Sequence, residues 1–69
     1  MQDFGKKLKH LREAHQLTLR ELSALTGFRP QTISDWERER RTPRYPIYTI
    51  QTINEALHIP FSFWCGGES

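Results

Sequence analysis

Apolar residues recur along the chain at helical spacing, in short blocks that proline and glycine residues separate. In the first block, Phe4, Leu8, Leu11 and His15 lie three or four residues apart and form one stripe of a helix. This spacing predicts a first helix near residues 3–15. No block alternates apolar and polar residues as a half-buried strand does, so the pattern predicts an all-α fold.

The second block begins with a capping box and ends at a glycine. Thr18 and Glu21 form the Ser/Thr-x-x-Glu pattern, in which each side chain accepts a hydrogen bond from a free backbone amide. Gly27 follows the apolar residues and suits the left-handed conformation that ends many helices. A short second helix is therefore predicted near residues 18–26.

The third block has an apolar side and a polar side. Pro30 suits the first position of a helix, and it favours an extended conformation at Arg29. A helix near residues 30–38 turns Ile33 and Trp36 inward. The outer side is polar and consists of Gln31, Asp35 and Arg38, flanked by Thr32 and Ser34.

Proline residues also divide the C-terminal part of the chain. A basic loop leads into a predicted fourth helix near residues 47–57, which carries an apolar stripe. Pro60 predicts the start of a short fifth helix, near residues 60–64, and residues 65–69 are predicted to form a flexible tail. The chain of 69 residues has room for one domain, residues 1–69.

The composition narrows the class of protein. A domain of this size, with 36% hydrophobic residues, is marginally stable alone, so a partner subunit is expected. Cys65 is the single cysteine, which excludes an internal disulfide and is expected to be a bystander thiol. The absence of a signal-peptide pattern and of a long apolar run predicts a cytoplasmic protein with no membrane partner.

The charge of the chain is unevenly distributed. All ten lysines and arginines lie in the first 44 residues, which also hold six acidic residues and so carry a net charge of +4. The remaining residues hold two acidic side chains and no lysine or arginine, a net charge of −2. A basic cluster of this kind favours a polyanionic partner, although surface lysines and arginines also keep any helical domain soluble.

The second and third predicted helices have the arrangement of a DNA-binding helix-turn-helix. This motif needs two short helices, a tight turn between them and a polar outer side on the second helix. Gly27 supplies the turn, and Ser23 is small where the two helices are expected to cross. The apolar residues that fix the angle between the helices are Leu22, Ile33 and Trp36.

The run from Leu8 to Trp64 resembles the phage-repressor, Cro and XRE class of helix-turn-helix regulators. The matching segments are Leu11-Arg12, Leu17-Thr18, Glu21-Leu22-Ser23, Thr26-Gly27-Phe28, Thr32-Ile33-Ser34-Asp35-Trp36-Glu37, Pro43 and Ala56-Leu57-His58-Ile59. The resemblance implies a five-helix, lambda-repressor-like bundle that is not an enzyme and binds operator DNA as a dimer, with its third helix in the major groove. It also implies a structural ion pair between Arg12 and Glu37. Glu39 departs from the pattern, since the class commonly has glycine there.

The outer side of the third helix supplies candidate contacts to bases. Gln31 can offer an amide to adenine, Asp35 can accept from the amino group of cytosine, and Thr32 and Ser34 can contact a base edge or a phosphate. The candidate contacts to the DNA backbone are Arg20, Arg29, Arg38, Arg40, Arg41 and Arg44, with Lys6, Lys7 and Lys9 as further candidates. The alternative is that Gln31 and Asp35 are solvated, and that Arg12 and Glu37 form an ordinary surface pair.

Sequence motifs of catalysis are absent. His10, His15 and His58 show no metal-ligand spacing with each other or with Cys65, and we expect them at the surface or at its boundary. The chain has no glycine-rich phosphate loop, nucleophile elbow or paired carboxylates. The sequence therefore predicts no catalytic site, no metal and no cofactor.

The C-terminal aromatic residues suggest a second surface. Ile59 and Phe63 are expected to close the core, while Phe61 and Trp64 are expected to form the interface of a two-fold homodimer. The prediction is a repressor that binds double-stranded DNA at a palindromic operator. The alternative function is a protein-interaction module, such as an antitoxin or an anti-repressor, that acts through the aromatic C-terminal face; RNA binding is a third option.

Overall fold

A computed structural model describes residues 4–65 of the chain. Within this range the chain forms five α-helices: α1 Phe4–Ala14, α2 Leu19–Thr26, α3 Pro30–Glu37, α4 Pro46–Leu57 and α5 Ser62–Cys65. No strand occurs among residues 4–65, and the all-α, five-helix fold is confirmed. The helix bounds agree with the predicted ones to within two residues. The predicted tail differs, since residue 65 ends α5 and residues 66–69 lie outside the described residues.

The local signals around α2 act as predicted. The Thr18 side chain accepts from the Glu21 amide at 3.1 Å, and the Glu21 carboxylate accepts from the Thr18 amide at 2.8 Å. At the other end, Gly27 has a φ of 88°, and its amide donates to the Ser23 carbonyl. The capping box and the glycine stop therefore set both ends of α2.

Three other helices end at left-handed residues that are not glycine: Gln16 after α1, Glu39 after α3 and His58 after α4, with φ values of 57°, 61° and 59°. After α3, the Glu39 amide donates to the Trp36 carbonyl and the Arg40 amide donates to the Asp35 carbonyl. These two bonds form a Schellman motif, which satisfies the last free carbonyls of the helix. Glu39 therefore has a left-handed conformation, which explains why the class commonly has glycine at this position.

His15 does not continue the apolar stripe of α1, contrary to the prediction. The helix ends at Ala14, and His15 is exposed, with its Nδ1 atom 3.0 Å from the Leu11 carbonyl oxygen. The His15 amide still donates to the Leu11 carbonyl, so the backbone remains helical up to this residue, and the side chain lies against that carbonyl instead of the core.

Each of the helices α1 to α4 contributes to the core. Its fully buried side chains are Leu8, Leu22, Ile33, Ile50 and Ile53. Each contributes about 1.5 to 3 kcal/mol through removal of apolar surface from water. Because α3 supplies Ile33 from its inner side, the core fixes which side of α3 faces outward.

Helix α1 crosses α3 at unusually close range through Gly5. A Cβ atom at this position would lie 2.1 Å from the backbone oxygen of Trp36 and 3.1 Å from that of Glu37. Only a residue without a side chain fits between α1 and the C-terminal turn of α3. Gly5 therefore sets the distance between the two helices.

Helix α5 closes the core with Trp64, and the predicted place of Trp64 in a dimer interface is wrong. Its side chain is 6% exposed, and its ring stacks on Phe4 at 5.3 Å between centroids. Its indole Nε1 donates to Asn54 Oδ1 at 2.7 Å, and Lys7 Nζ donates to its backbone oxygen at 2.7 Å. The helix begins at Ser62, two residues later than predicted, and Trp64 points inward, toward Phe4 and Asn54.

Phe61, the other residue of the predicted dimer interface, is 46% exposed. Ile59 and Phe63 are partly buried and pack against the core, as predicted. None of the helices within residues 4–65 is long and apolar enough to cross a membrane.

Candidate nucleic-acid interface

Side-chain hydrogen bonds fix the turn between α2 and α3. Ser23 donates its hydroxyl proton to the Phe28 carbonyl, across the turn. Thr26 donates to the Leu22 carbonyl at 2.9 Å, and its oxygen accepts from the Phe28 amide at 3.3 Å. Small hydroxyl residues thus replace water as partners of the backbone here. The turn holds α3 in a defined position relative to α2.

The inner face of α3 is built from Ile33 and Trp36, which are 1% and 7% exposed. The Trp36 ring makes edge contacts with Phe28 at 5.1 Å and with Phe4 at 5.8 Å between centroids. Edge-to-face packing of this kind adds to the gain from burial. Two rings outside the helix, Phe28 before α3 and Phe4 in α1, therefore anchor α3 through Trp36.

A two-pronged ion pair anchors α3 to α1. Arg12 Nε donates to Glu37 Oε2 at 2.7 Å, and a second guanidinium nitrogen donates to Glu37 Oε1 at 3.1 Å. A third donates to the Leu17 carbonyl at 2.8 Å. The pair that the resemblance implies is therefore present, and its side chains are 15% and 6% exposed, unlike those of an ordinary surface pair.

The environment of this pair keeps Arg12 charged. The hydrogen bonds that Arg12 donates to Glu37 raise the pKa of Arg12 above its ordinary value, and burial offsets part of that rise. The cation stabilises a carboxylate that would otherwise be buried without a partner. The charge pair thus links the C-terminal end of α3 to α1.

The outer face of α3 carries the polar residues that the sequence predicts as base contacts. Gln31 is exposed, and Thr32, Ser34 and Asp35 are half-buried at its edges. Gln31 Nε2 donates to Asp35 Oδ1 at 3.2 Å, one helical turn away. The face offers amide, hydroxyl and carboxylate groups to the solvent, and their contacts with bases stay a prediction.

Arginine residues lie around both ends of α3. All six predicted backbone contacts are exposed: Arg20, Arg29, Arg38, Arg40, Arg41 and Arg44. Arg29 directly precedes α3, and Arg38 directly follows it. Arg41 Nε approaches Asp35 Oδ2 at 3.8 Å, with 76% of its side chain exposed. The positive charge therefore adjoins the polar face of α3.

Lys7, by contrast, has an intramolecular partner, because its amine bonds to the Trp64 backbone oxygen. Lys6 and Lys9 on the same helix are exposed. A contact between Lys7 and DNA would first have to break the bond to α5. The other two lysines remain candidates.

The sequence reasoning missed two residues that position α3. Gly5 sets the approach of α1, and an isolated glycine among good helix formers was the available signal, since it usually has a packing reason. Asn54, on α4, accepts a hydrogen bond from the Trp64 indole and so holds α5 in place. The sequence offered no signal for this bond, because the partners lie ten residues apart on different helices.

The described residues contain no group of three or more His, Cys, Asp or Glu side chains that could hold a metal ion. The ionisable side chain on the outer face of α3 is Asp35, and Arg38 follows directly after the helix. The chemistry available there is hydrogen bonding and charge attraction.

Comparisons with known proteins agree with this geometry. The Helix-turn-helix family model matches residues 8–64. The chain is similar to the HTH-type transcriptional repressor RghR of Bacillus subtilis (strain 168), with 38% identity over 61 residues, which make up 88% of this chain and 44% of that protein. It is also similar to a second protein of that strain, the uncharacterized HTH-type transcriptional regulator RghRB, with 34% identity over 61 residues, 88% of this chain and 43% of that protein.

The chain spans less than half the length of the curated relatives that it matches. No solved structure matches it with comparable significance. The family model covers more than three-quarters of the chain and includes the turn, the anchored α3 and the aromatic α5. The chain therefore belongs to the helix-turn-helix family of the phage-repressor, Cro and XRE type.

Proposed function

We propose that this domain binds double-stranded DNA in a sequence-specific way and regulates transcription as a repressor. The observation that carries the proposal is the division of α3 into two faces. Its inner face is buried and anchored, while its outer face presents polar side chains between exposed arginines. A rigid helix with this division suits the major groove, which is wide enough to admit an α-helix.

The two groups of side chains have different tasks in this proposal. Gln31 reads a base, because an amide can donate to N7 and accept from the N6 amino group of adenine. The arginines neutralise phosphates, which gives affinity for any sequence and makes that affinity dependent on salt. The net charge of +4 in the first 44 residues supports the second task.

Selection of bound sites from random duplex DNA tests the proposal, followed by affinity measurements on selected and random duplexes. Gln31→Ala should cost about 1 to 3 kcal/mol on the selected site and little on random DNA. Arg41→Ala is the matched control, which should weaken binding to both duplexes alike and reduce the salt slope by about 1. Equal losses on both duplexes for Gln31→Ala would contradict base reading.

A two-fold homodimer on a palindromic operator completes the proposal. Two copies of α3 would enter successive major grooves, in half-sites ~34 Å apart. With Trp64 buried, the interface retains Phe61 from the predicted pair, and further exposed apolar side chains are available at Tyr45, Ile47 and Tyr48. Sedimentation with a selected duplex should give two protein chains per duplex. One chain on a duplex with two half-sites would contradict the dimer.

The repressor role is supported by the relative RghR, which is named a transcriptional repressor. A reporter gene with the selected site across its promoter should lose expression when this chain is produced in bacteria. Gln31→Ala should restore the expression, since it removes recognition of the site. Increased reporter expression would instead indicate an activator.

A further inference from the structure

The contact between Gln31 and Asp35 is the one hydrogen bond between side chains on the described outer face of α3. The donor is Gln31 Nε2 and the acceptor is Asp35 Oδ1, 3.2 Å apart. The second carboxylate oxygen of Asp35 lies 3.8 Å from Arg41 Nε. Both oxygens of Asp35 therefore have neighbours within the protein.

The chemistry of the carboxylate determines how the amide is oriented. An ionised carboxylate accepts hydrogen bonds and cannot donate, so the nitrogen of the Gln31 amide must face Asp35. One N–H group of this nitrogen is used, which leaves the other N–H group and the Oε1 atom of Gln31 for a partner. One donor beside one acceptor is the pattern that matches N7 and the N6 amino group of adenine.

We infer that Asp35 is a positioning residue, which orients the Gln31 amide for adenine, and that it does not read a base itself. The inference rests on the proposed binding of DNA. Asp35 was predicted from the sequence as a reader of cytosine, and that role needs a free carboxylate oxygen directed at the base. The side chain of Asp35 is 15% exposed, and its oxygens face Gln31 and Arg41.

Arg41 has a second task in this arrangement. A carboxylate near the groove repels phosphates, and a neighbouring guanidinium reduces that repulsion. With 76% of its side chain exposed, Arg41 can lie near Asp35 and still reach a phosphate. The acidic residue is thereby tolerated on a surface that binds a polyanion.

The test compares base preferences of variants at every position of the selected site. Asp35→Ala should lower the preference for adenine about 3- to 10-fold, at the same base pair that Gln31→Ala affects. The double variant should behave like Gln31→Ala alone, because the two side chains act as one unit. Asp35→Asn should keep the preference, because its carbonyl oxygen can still accept from Gln31.

The control is Glu39→Ala, which removes the same charge just beyond α3 from an exposed side chain. It should change the affinity for all duplexes by one common factor and leave base preferences unchanged. If Asp35→Ala instead relaxes a separate cytosine position, with effects that add to those of Gln31→Ala, Asp35 reads a base and the inference is wrong.

A measurement without DNA separates this inference from the proposed function. In the free protein, Asp35→Ala should shift the NMR signals of the Gln31 side-chain amide protons and increase the motion of that amide, whereas Glu39→Ala should change neither. Absence of this shift overturns the positioning role. If the shift occurs but no duplex is bound, the intramolecular contact stands, and both the proposed function and the reading of adenine fail.

Discussion

The two faces of α3 differ in what holds their side chains. On the inner face, Trp36 is 7% exposed, and the side chain of Glu37 is 6% exposed. The partners of both residues lie on other elements. On the outer face, the partner of Gln31 lies on the same helix, one turn away. Substitutions on the inner face should therefore change the stability of the fold, while those on the outer face should change recognition.

The largest effect is expected from Arg12→Ala. This change leaves the Glu37 carboxylate buried without its cation and the Leu17 carbonyl without a donor. The free energy of unfolding should fall by about 3 to 5 kcal/mol, as measured by urea denaturation. Arg12→Lys is the control, since it keeps the charge but loses the two-pronged geometry, and its loss should be smaller. A loss below about 1 kcal/mol for Arg12→Ala would indicate a surface pair.

The next effect in size is expected from Gly5→Ala. The added Cβ atom would lie 2.1 Å from the Trp36 backbone oxygen, so α1 and α3 would have to separate. The free energy of unfolding should fall by about 1 to 3 kcal/mol. Alanine raises helix propensity relative to glycine by up to about 1 kcal/mol. A more stable variant in thermal denaturation would therefore show that the two helices do not meet there.

At residue 39, after the end of α3, glycine is expected to give a more stable protein than alanine. Glu39 has a φ of 61°, which strains a residue with a Cβ atom. Glu39→Gly should be more stable than Glu39→Ala by about 0.5 to 1 kcal/mol, after the entropic cost of glycine. Both variants remove the same charge, so the difference in their urea midpoints isolates the backbone term. Equal midpoints would contradict a left-handed residue 39.

The smallest change in stability is expected on the outer face. Arg38→Ala removes an exposed side chain, and its free energy of unfolding should stay within about 0.5 kcal/mol of the parent. Its affinity for all duplexes should fall by a similar factor if Arg38 contacts phosphate. A clear loss of stability in the same urea titration would mean that the two faces of α3 are not independent.

Residues with local signals were predictable from the sequence. The capping box at Thr18 and Glu21 and the stop at Gly27 depend on neighbours within a few residues, and the structure has both. For the left-handed conformation of Glu39, the only signal in the sequence was that the class commonly has glycine at this position. Its conformation follows from the Schellman bonds of α3, which propensity alone does not encode.

Trp64 shows where such reasoning failed. A helix of four residues is too short for periodicity to define a buried face, and three aromatic residues close together in the sequence left several assignments open. Whether Trp64 is buried or exposed depends on Phe4 and Asn54, which lie on other helices and reach Trp64 only after folding. The polar face of α3 was predictable because eight residues cover two full turns.

The contacts between α1 and α5 bring residues from opposite ends of the sequence together. The ring of Phe4 stacks on that of Trp64, and Lys7 bonds to the backbone of the same tryptophan. A short peptide could therefore connect the end of α5 to the start of α1, and a new opening could be placed at the exposed turn around Gln16. Such a circular permutant should keep all five helices in place, because the arrangement in space does not depend on the order in which the chain is joined.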